Sequence, residues 1–110
     1  MRRIASNYVF LPGTALISGV YAEYDDVYGG FRIAAFESGC CEIEGLEFYS
    51  GILTDARLAD FVDELKEASD LREAIGRIYK GFSAPAEKLA VLSGCVNFRW
   101  GKHAKFRILV

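Results

Sequence analysis

The first half of the chain alternates apolar and polar positions in short runs rich in β-branched and aromatic residues. Runs of this kind, separated by glycine and proline, predict strands. The predicted strands are residues 4–11, 15–25, 31–36 and 46–53. In the second strand the alternation defines two faces, one with Val20, Ala22 and Tyr24 and the other with Tyr21 and Glu23.

Glycines mark where these strands turn. Gly29-Gly30 predicts a hairpin between the second and third strands, because glycine enters the left-handed backbone region at little cost. Gly51 lies inside the fourth strand, where an isolated glycine is typical of a bulge or a close backbone approach.

The apolar spacing changes to a helical period after Thr54. Four apolar residues then recur at i, i+3, i+4 and i+7: Leu58, Phe61, Val62 and Leu65. This pattern predicts a helix capped by Thr54 or Asp55. Asp70 stands three residues before Glu73, a capping-box spacing that predicts a second helix. The apolar stripe of that helix is Leu71, Ala74, Ile75, Ile78, Tyr79 and Phe82.

A third, shorter helix is predicted after Ser83. Pro85 is tolerated in a first helical turn, and Gly94 suits the position past the last turn. This helix would bury Ala86, Leu89 and Ala90. A closing hairpin is predicted next, with strands at 96–100 and 105–110 and a turn at Gly101-Lys102.

The order of elements predicts a single α+β domain over residues 1–110. It has strands at about 3–53, two to three helices at about 55–93 and the closing hairpin at about 96–110. Because strands occur at both ends, we expect the hairpin to join the N-terminal strands in a small mixed sheet or β-sandwich. The inserted helices are expected to pack on one side of it.

Charge is unevenly divided along the chain. The net charge is −2, but residues 1–52 hold three Arg and no Lys against seven Asp and Glu, and residues 53–110 hold ten Lys and Arg against eight. Basic residues gather near the end, at Arg99, Lys102, His103, Lys105 and Arg107, beside Trp100. Such a cluster can contact phosphates, but we interpret it as a solvated strand face complementing the acidic half, and we expect no nucleic-acid partner.

Location is predicted from what the chain lacks. The basic start is not followed by the apolar run and small-residue cleavage site of a signal peptide, and no stretch reaches the roughly 20 apolar residues of a membrane span. We therefore expect a cytoplasmic protein with no membrane partner. Its three cysteines, Cys40, Cys41 and Cys95, are then expected to be reduced.

Candidate catalytic and metal-binding groups are few. His103 is the single histidine, whereas catalytic zinc sites and nucleophile–histidine pairs need more than one suitably placed partner. Cys40 and Cys41 are neighbours, so on a strand they point to opposite faces, and Cys95 is distant in sequence. Asp25 and Asp26 precede a glycine turn and are interpreted as turn residues. We accordingly predict no catalytic residues, no cofactor and no metal site.

Both ends of the chain carry motifs found in one enzyme superfamily. At the start these are RIASNYVF (3–10), then Ser18-Gly19-Val20 leading to Asp25-Asp26, with Gly30 and Ile33 completing a hairpin, and EFYSGIL (47–53). At the end they are SAPAEKL (83–89) and the stretch from Gly94 through GKHAKFRIL (101–109). In this order they resemble the composite β-sandwich domain that flanks the barrel of amidohydrolases, which are metal-dependent hydrolases.

The departures from that family are as informative as the likeness. Family members follow the exit strand with P-G-x-x-x-x-H-x-H, whose histidines hold the metal, whereas Leu53 is followed by Thr54-Asp55-Ala56-Arg57. The chain is also too short for the eight βα units of a barrel. Lys105 stands where the family often has Asp. The resemblance thus implies a fold and no site residues.

These observations favour a non-catalytic, stand-alone relative of that β-domain, acting in binding or assembly. With the barrel absent, part of its apolar surface needs another cover, so we expect a homodimer that uses some of Tyr21, Tyr24, Phe31 and Phe36. The alternatives are an accessory component docking on an amidohydrolase-type protein that acts on C–N bonds, or a small-ligand-binding protein.

Overall fold

The computed structural model describes residues 1–25, 27, 30–36 and 44–110. Its strands are β1 (Arg2–Val9), β2 (Val20–Asp25), β3 (Gly30–Ala35), β4 (Leu46–Asp55), β5 (Leu89–Ser93) and β6 (Lys105–Ile108). Between β4 and β5 lie a 3₁₀ helix (Ala56–Phe61) and two α-helices, α1 (Val62–Glu67) and α2 (Leu71–Tyr79). Among the described residues, no helix has the length and apolar character needed to cross a membrane.

All six strands belong to one mixed sheet. Their order is β3-β2-β1-β4-β5-β6, with β1 and β4 parallel and the other neighbours antiparallel. The C-terminal strands therefore reach the N-terminal ones through β4, as the strand–helix–strand order predicted. The α+β class is confirmed, whereas a two-sheet sandwich is not confirmed.

The predicted third helix is wrong, and so is the position of the closing hairpin. Residues 89–93 form β5, which lies between β4 and β6. Leu89 to Leu92 are all buried, and a short apolar run that is buried on both faces cannot be distinguished from a helix by periodicity. Val96 and Arg99 close a two-residue turn and do not begin a long strand.

The helices pack on one face of the sheet only. There Ile52, Leu92 and Phe106 are cross-strand neighbours that share a core with Phe10 and with the buried stripe of α2. The opposite face has a separate core around Ile4, Ala22, Leu53 and Leu89, against which the C-terminal Leu109 and Val110 pack. Full burial of one such Leu or Ile side chain contributes roughly 1.5–3 kcal/mol before entropy costs.

Both predicted helix starts are confirmed, and their caps are aspartates. The Asp55 carboxylate accepts a hydrogen bond from the Arg57 backbone N–H at 2.8 Å, and the Asp70 carboxylate accepts one from the Arg72 N–H at 2.9 Å. Thr54, the alternative first cap, is the buried penultimate residue of β4. The first helical segment begins as a 3₁₀ turn and becomes α-helical at Val62.

Gly51 marks a close backbone approach, as its position in the strand predicted. Its φ of 122° lies outside the range that L side chains adopt readily, and a Cβ there would overlap the carbonyl oxygen of Leu92 on β5. Next to it, the register between β1 and β4 shifts between Ser6 and Tyr8. Gly51 therefore lets the irregular part of β4 pack directly on β5.

Candidate functional site

The described helices pack over only part of their own face of the sheet. We call this part the open half: it comprises the helix side of β3, β2, β1 and the first residues of β4. In register across these four strands lie Ala34, Tyr21, Ala5 and Phe48. The open half thus carries an apolar row that runs across the four strands, and none of the described helices packs over it.

Two aromatic residues of the open half are accessible to solvent. Phe48 is 60% exposed and Phe36 is 41% exposed. The Phe36 ring lies 5.0 Å from the ring of Tyr21, so Tyr21 and Phe36 form one aromatic pair at the β2–β3 end of the row. Ala5, between Tyr21 and Phe48, is small and buried. The row therefore has aromatic side chains at both ends and a small side chain between them.

A charged row runs beside the apolar one. The Glu23 carboxylate is 8% exposed and accepts hydrogen bonds from Arg32 at 2.7 and 3.0 Å, while Arg3 Nε lies 3.5 Å from it. Register places Arg32, Glu23 and Arg3 side by side on the same face as Tyr21 and Phe48. The buried carboxylate is thus compensated by two guanidinium groups, one on each neighbouring strand.

A cleft opens beside the register shift of β1 and β4. We call it the bulge cleft; its volume is about 580 Å³, within the usual range for small-molecule sites. Asn7 forms part of its floor: its Oδ1 accepts a hydrogen bond from Gly51 N–H at 2.8 Å and a longer one from Ser50 Oγ at 3.4 Å. This fixes the amide plane of Asn7 and leaves its Nδ2 group available as a donor.

One side of the bulge cleft is an aromatic wall. The rings of Tyr8 and Phe98 have centroids 5.3 Å apart, and the Arg72 guanidinium carbon lies 4.4 Å from the Phe98 centroid. Arg72 is itself hydrogen-bonded to Asp70, and this bonding lowers the pKa of Asp70 and raises that of Arg72. Arg72 therefore links the Phe98 ring to Asp70 at the N-terminal end of α2.

The turn that carries this wall has an unusual backbone. Asn97 and Phe98 both have left-handed conformations, with φ of 52° and 57°, between the paired residues Val96 and Arg99. Two such residues in a row are typical of a type I′ turn, where Asn is common and the second place is usually Gly. A phenylalanine there is strained, by roughly 1–2 kcal/mol.

The most deeply buried carboxylate outside the open half is Asp55, and its partners are structural. It makes a fork of hydrogen bonds with Arg57, whose guanidinium lies 4.3 Å from the Phe82 centroid and has a raised pKa because of that pairing. The buried Tyr79 hydroxyl donates to the Phe10 carbonyl at 2.6 Å and accepts from Asp55 N–H at 3.1 Å. Burial raises the pKa of Tyr79, so this hydroxyl stays protonated.

The structure separates the residues that the sequence singled out for chemistry. His103 is exposed in the turn before β6, and Cys95 is a free, half-buried thiol in the bulge cleft whose pKa is raised by burial. Cys40 and Cys41 lie outside the described residues. Within the described ranges there is no group of three or more His, Cys, Asp or Glu side chains arranged to hold a metal.

Asp25 acts in a turn, as its sequence position predicted. Its carboxylate accepts a hydrogen bond from Val27 N–H at 2.9 Å, whereas Asp26 lies outside the described residues.

The basic residues near the end of the chain do not share one aromatic face. Arg107 lies over the ring of Tyr49, while Trp100 lies near the Lys66 ammonium group of α1, 5.7 Å away.

Of the four aromatic residues expected to face a partner, Tyr21 and Phe36 lie on the open half. Tyr24 and Phe31 pair with each other on the opposite face of the sheet and are half-buried. Phe48 was not among the residues predicted to face a partner. The alternation of Glu47, Phe48 and Tyr49 on a strand nevertheless indicates that Phe48 points to the face opposite its two neighbours. Phe98 had no such signal, because turn chemistry predicts glycine at its position.

Comparison with known proteins adds no relative: no family model, no curated protein and no solved structure matches this chain. The resemblance to the amidohydrolase β-domain therefore remains a prediction from the sequence motifs.

Proposed function

We propose that this protein is a non-catalytic assembly domain that forms a two-fold homodimer through the open half. The observation that carries the proposal is the exposure of Phe48 on a part of the sheet face that none of the described helices covers, in the same transverse row as the Tyr21–Phe36 pair. Exposed aromatic residues that share one sheet face, as Phe48 and Phe36 do, are typical of interaction sites, whereas scattered exposed residues are not.

The shape of the row suits a second copy of itself. A two-fold axis over Ala5 would turn the row end for end, so the Phe48 ring of each copy would lie over the Tyr21–Phe36 pair of the other. Ala5 and Ala34 are small, so no bulky side chain of the row itself stands between its aromatic ends. Two sheets packed this way lie about 10 Å apart, which would create the expected sandwich from two chains.

The composition of the open half supports the same proposal. Protein interfaces are enriched in aromatic residues and arginine and depleted in lysine. Arg3 and Arg32 border the apolar row, and residues 1–52 contain no lysine. Because Glu23 already neutralises part of this positive charge, two copies would meet with little repulsion.

Three sequence expectations accompany this proposal. Descent from an amidohydrolase β-domain would account for a sheet face that lost its cover. The amidohydrolase-type partner remains an alternative occupant of the open half. A cytoplasmic compartment is compatible with the free thiol of Cys95.

Light scattering combined with size exclusion tests the proposal. One chain has a mass of 12.2 kDa, and we expect twice that value for the wild type at micromolar concentration. Phe48→Ser should restore the monomer mass, because it removes the largest exposed ring of the row.

The matched control is Val96→Ser. Val96 is 65% exposed but lies in the turn beside the bulge cleft, outside the open half, so its variant should remain dimeric. A wild type that stays at 12.2 kDa on concentration, or equal dissociation in both variants, would contradict the proposed interface.

A further inference from the structure

The bulge cleft has the features of a second binding site, independent of the open half. Its described lining contains no charged side chain. Burying a charge without a partner is costly, so a lining of this composition selects neutral ligands. A phosphate group has no cation to meet inside the cleft, since Arg72 lies behind Phe98 and is paired with Asp70.

The aromatic wall favours a flat ligand. Tyr8 and Phe98 offer ring surface to the cleft, and Phe98 is held from behind by the Arg72 guanidinium. A ring fixed in this way loses little conformational entropy when a second ring contacts it. Stacking of a nucleobase on an aromatic side chain contributes about 1–3 kcal/mol, equivalent to roughly 5- to 150-fold in affinity.

Polar groups around the wall match the edge of a heterocycle. The Nδ2 group of Asn7 is free to donate, and the side chains of Ser18 and Asn97 have no hydrogen-bond partner within the described part of the chain. Amide side chains combine one donor and one acceptor group, an arrangement that pairs with the donor–acceptor edges of nucleobases.

The cleft is also preorganised. Gly51 and Gly94 line it, and a Cβ on either would overlap a backbone carbonyl, of Leu92 and His103 respectively. The left-handed pair Asn97 and Phe98 sets the position of the amide and the ring together. Strained residues of this kind persist where the surrounding structure holds them, and they concentrate at ligand-binding sites.

We propose that the bulge cleft binds a neutral, flat heteroaromatic compound with a hydrogen-bonding edge, of the nucleobase or nucleoside class. Phe98 and Tyr8 stack on the ring, while Asn97 and Asn7 bond to its edge. The absence of charge in the described lining argues against nucleotides and nucleic-acid strands.

An NMR titration of the isotope-labelled protein tests this. The probes are adenosine, guanosine, cytidine and uridine, each with its 5′-monophosphate as a charged counterpart, and benzyl alcohol as an aromatic without the edge. We expect at least one nucleoside to shift the amide signals of Gly51, Gly94 and Phe98 in a saturable manner, with a dissociation constant of about 1 mM or tighter. Its monophosphate and benzyl alcohol should bind more weakly.

Two glycine variants separate ligand binding from folding. Phe98→Gly removes the ring and Asn97→Gly removes the amide, and glycine adopts the left-handed conformation at both positions without strain. Each variant should remain folded by circular dichroism and bind at least about fivefold more weakly, as the loss of one stacking or edge contact predicts. Val96→Ala, in the same turn but outside the lining, should bind like the wild type.

Three results would overturn the proposal. One is that none of the four nucleosides shifts the cleft signals at about 10 mM, a concentration that would nearly saturate a site with a dissociation constant of about 1 mM. Another is unchanged affinity in both glycine variants. The third is tighter binding of the monophosphates, which would place the ligand on the basic surface outside the cleft.

Discussion

One face of the sheet has two halves that share only β4 and differ in what packs on them. Over β5, β6 and the end of β4, helices α1 and α2 bury Ile52, Leu92 and their neighbours in a continuous core. Over β3, β2, β1 and the start of β4, the same face carries Phe48 in solvent and a charged row instead. The covered half is buried within one chain, whereas Phe48 on the open half is exposed apolar area that the proposed dimer would bury.

The boundary between the halves lies on β4, where Phe48 precedes and Ile52 follows Gly51. Gly51→Ala should be the most damaging single change, because it combines an unfavourable φ with overlap of the Leu92 carbonyl. We expect a loss of more than about 4 kcal/mol in the free energy of unfolding, measured by urea denaturation. Gly30→Ala is the control: Gly30 has open space at its Cβ and no left-handed backbone, so its variant should be close to neutral.

Within the covered half, truncation of a core residue should lower the free energy of unfolding by less than Gly51→Ala does, but still substantially. Ile75 of α2 is fully buried, and Ile75→Ala should lower the free energy of unfolding by about 3 kcal/mol through lost burial and a residual cavity. Urea denaturation of both proteins measures the difference. A cost below about 1 kcal/mol would mean that α2 packs on the sheet more loosely than the structure indicates.

Beneath the open half, on the opposite sheet face, an ion pair lies beside the apolar core of Ile4 and Ala22. Arg2 and Glu47 form a two-bond fork of 2.8 Å hydrogen bonds, the Tyr49 hydroxyl donates to the same carboxylate, and Arg2 also donates to the Leu109 carbonyl. The hydrogen bonds from Arg2 are the main cause that lowers the pKa of Glu47 to about 2 from its ordinary 4.5.

This shift predicts a pH-dependent contribution from Glu47. Since its folded pKa is depressed, the stabilisation is complete above pH 4.5 and is lost as the pH falls toward 2. About a third of the Glu47 side chain is exposed, so solvent screening reduces the contribution to about 1 kcal/mol. Glu47→Gln should be less stable than the wild type by that amount at pH 7, and the gap should close near pH 2. A gap that is the same at both pH values would contradict the fork as its source.

The smallest effect on folding is expected in the open half itself. Phe48→Ser, studied at a concentration where the chain is monomeric, should change the free energy of unfolding by less than about 0.5 kcal/mol. The ring is 60% exposed and contributes little to the core of one chain. Denaturation of wild type and variant in the dilute monomer checks this, and a cost comparable to that of Ile75→Ala would remove the distinction between the halves.

Most of the architecture was predictable because alternation and helix caps are local signals. The strands β1 to β4, the two capped helices and the junction of both chain ends in one sheet all follow from such signals. The structure of residues 83–93 was not predictable in this way. The buried run at Leu89 to Leu92 has neither a helical nor a strand period, and its pairing between β4 and β6 makes it a strand.

The candidate sites were predictable only in part. Tyr21 and Phe36 were expected to face a partner, but their position beside Phe48 depends on the parallel pairing of β1 with β4, which brings together residues distant in sequence. The bulge cleft depends on Phe98 adopting a conformation that its residue type disfavours. Tertiary contacts with Tyr8 and Arg72 hold it there, and such contacts leave no pattern in a single sequence.

The proposed interface between two copies of this chain is the open half. Mapping which residues make contacts between chains tests this most directly. An isotope-filtered NOE experiment on a mixture of labelled and unlabelled protein detects only contacts between chains. We predict cross-peaks between the Phe48 ring of one copy and the Tyr21 and Phe36 rings of the other. A dimer whose only intermolecular contacts involve other exposed apolar residues, such as Val96 or Ile108, or a sample without any, would contradict the account.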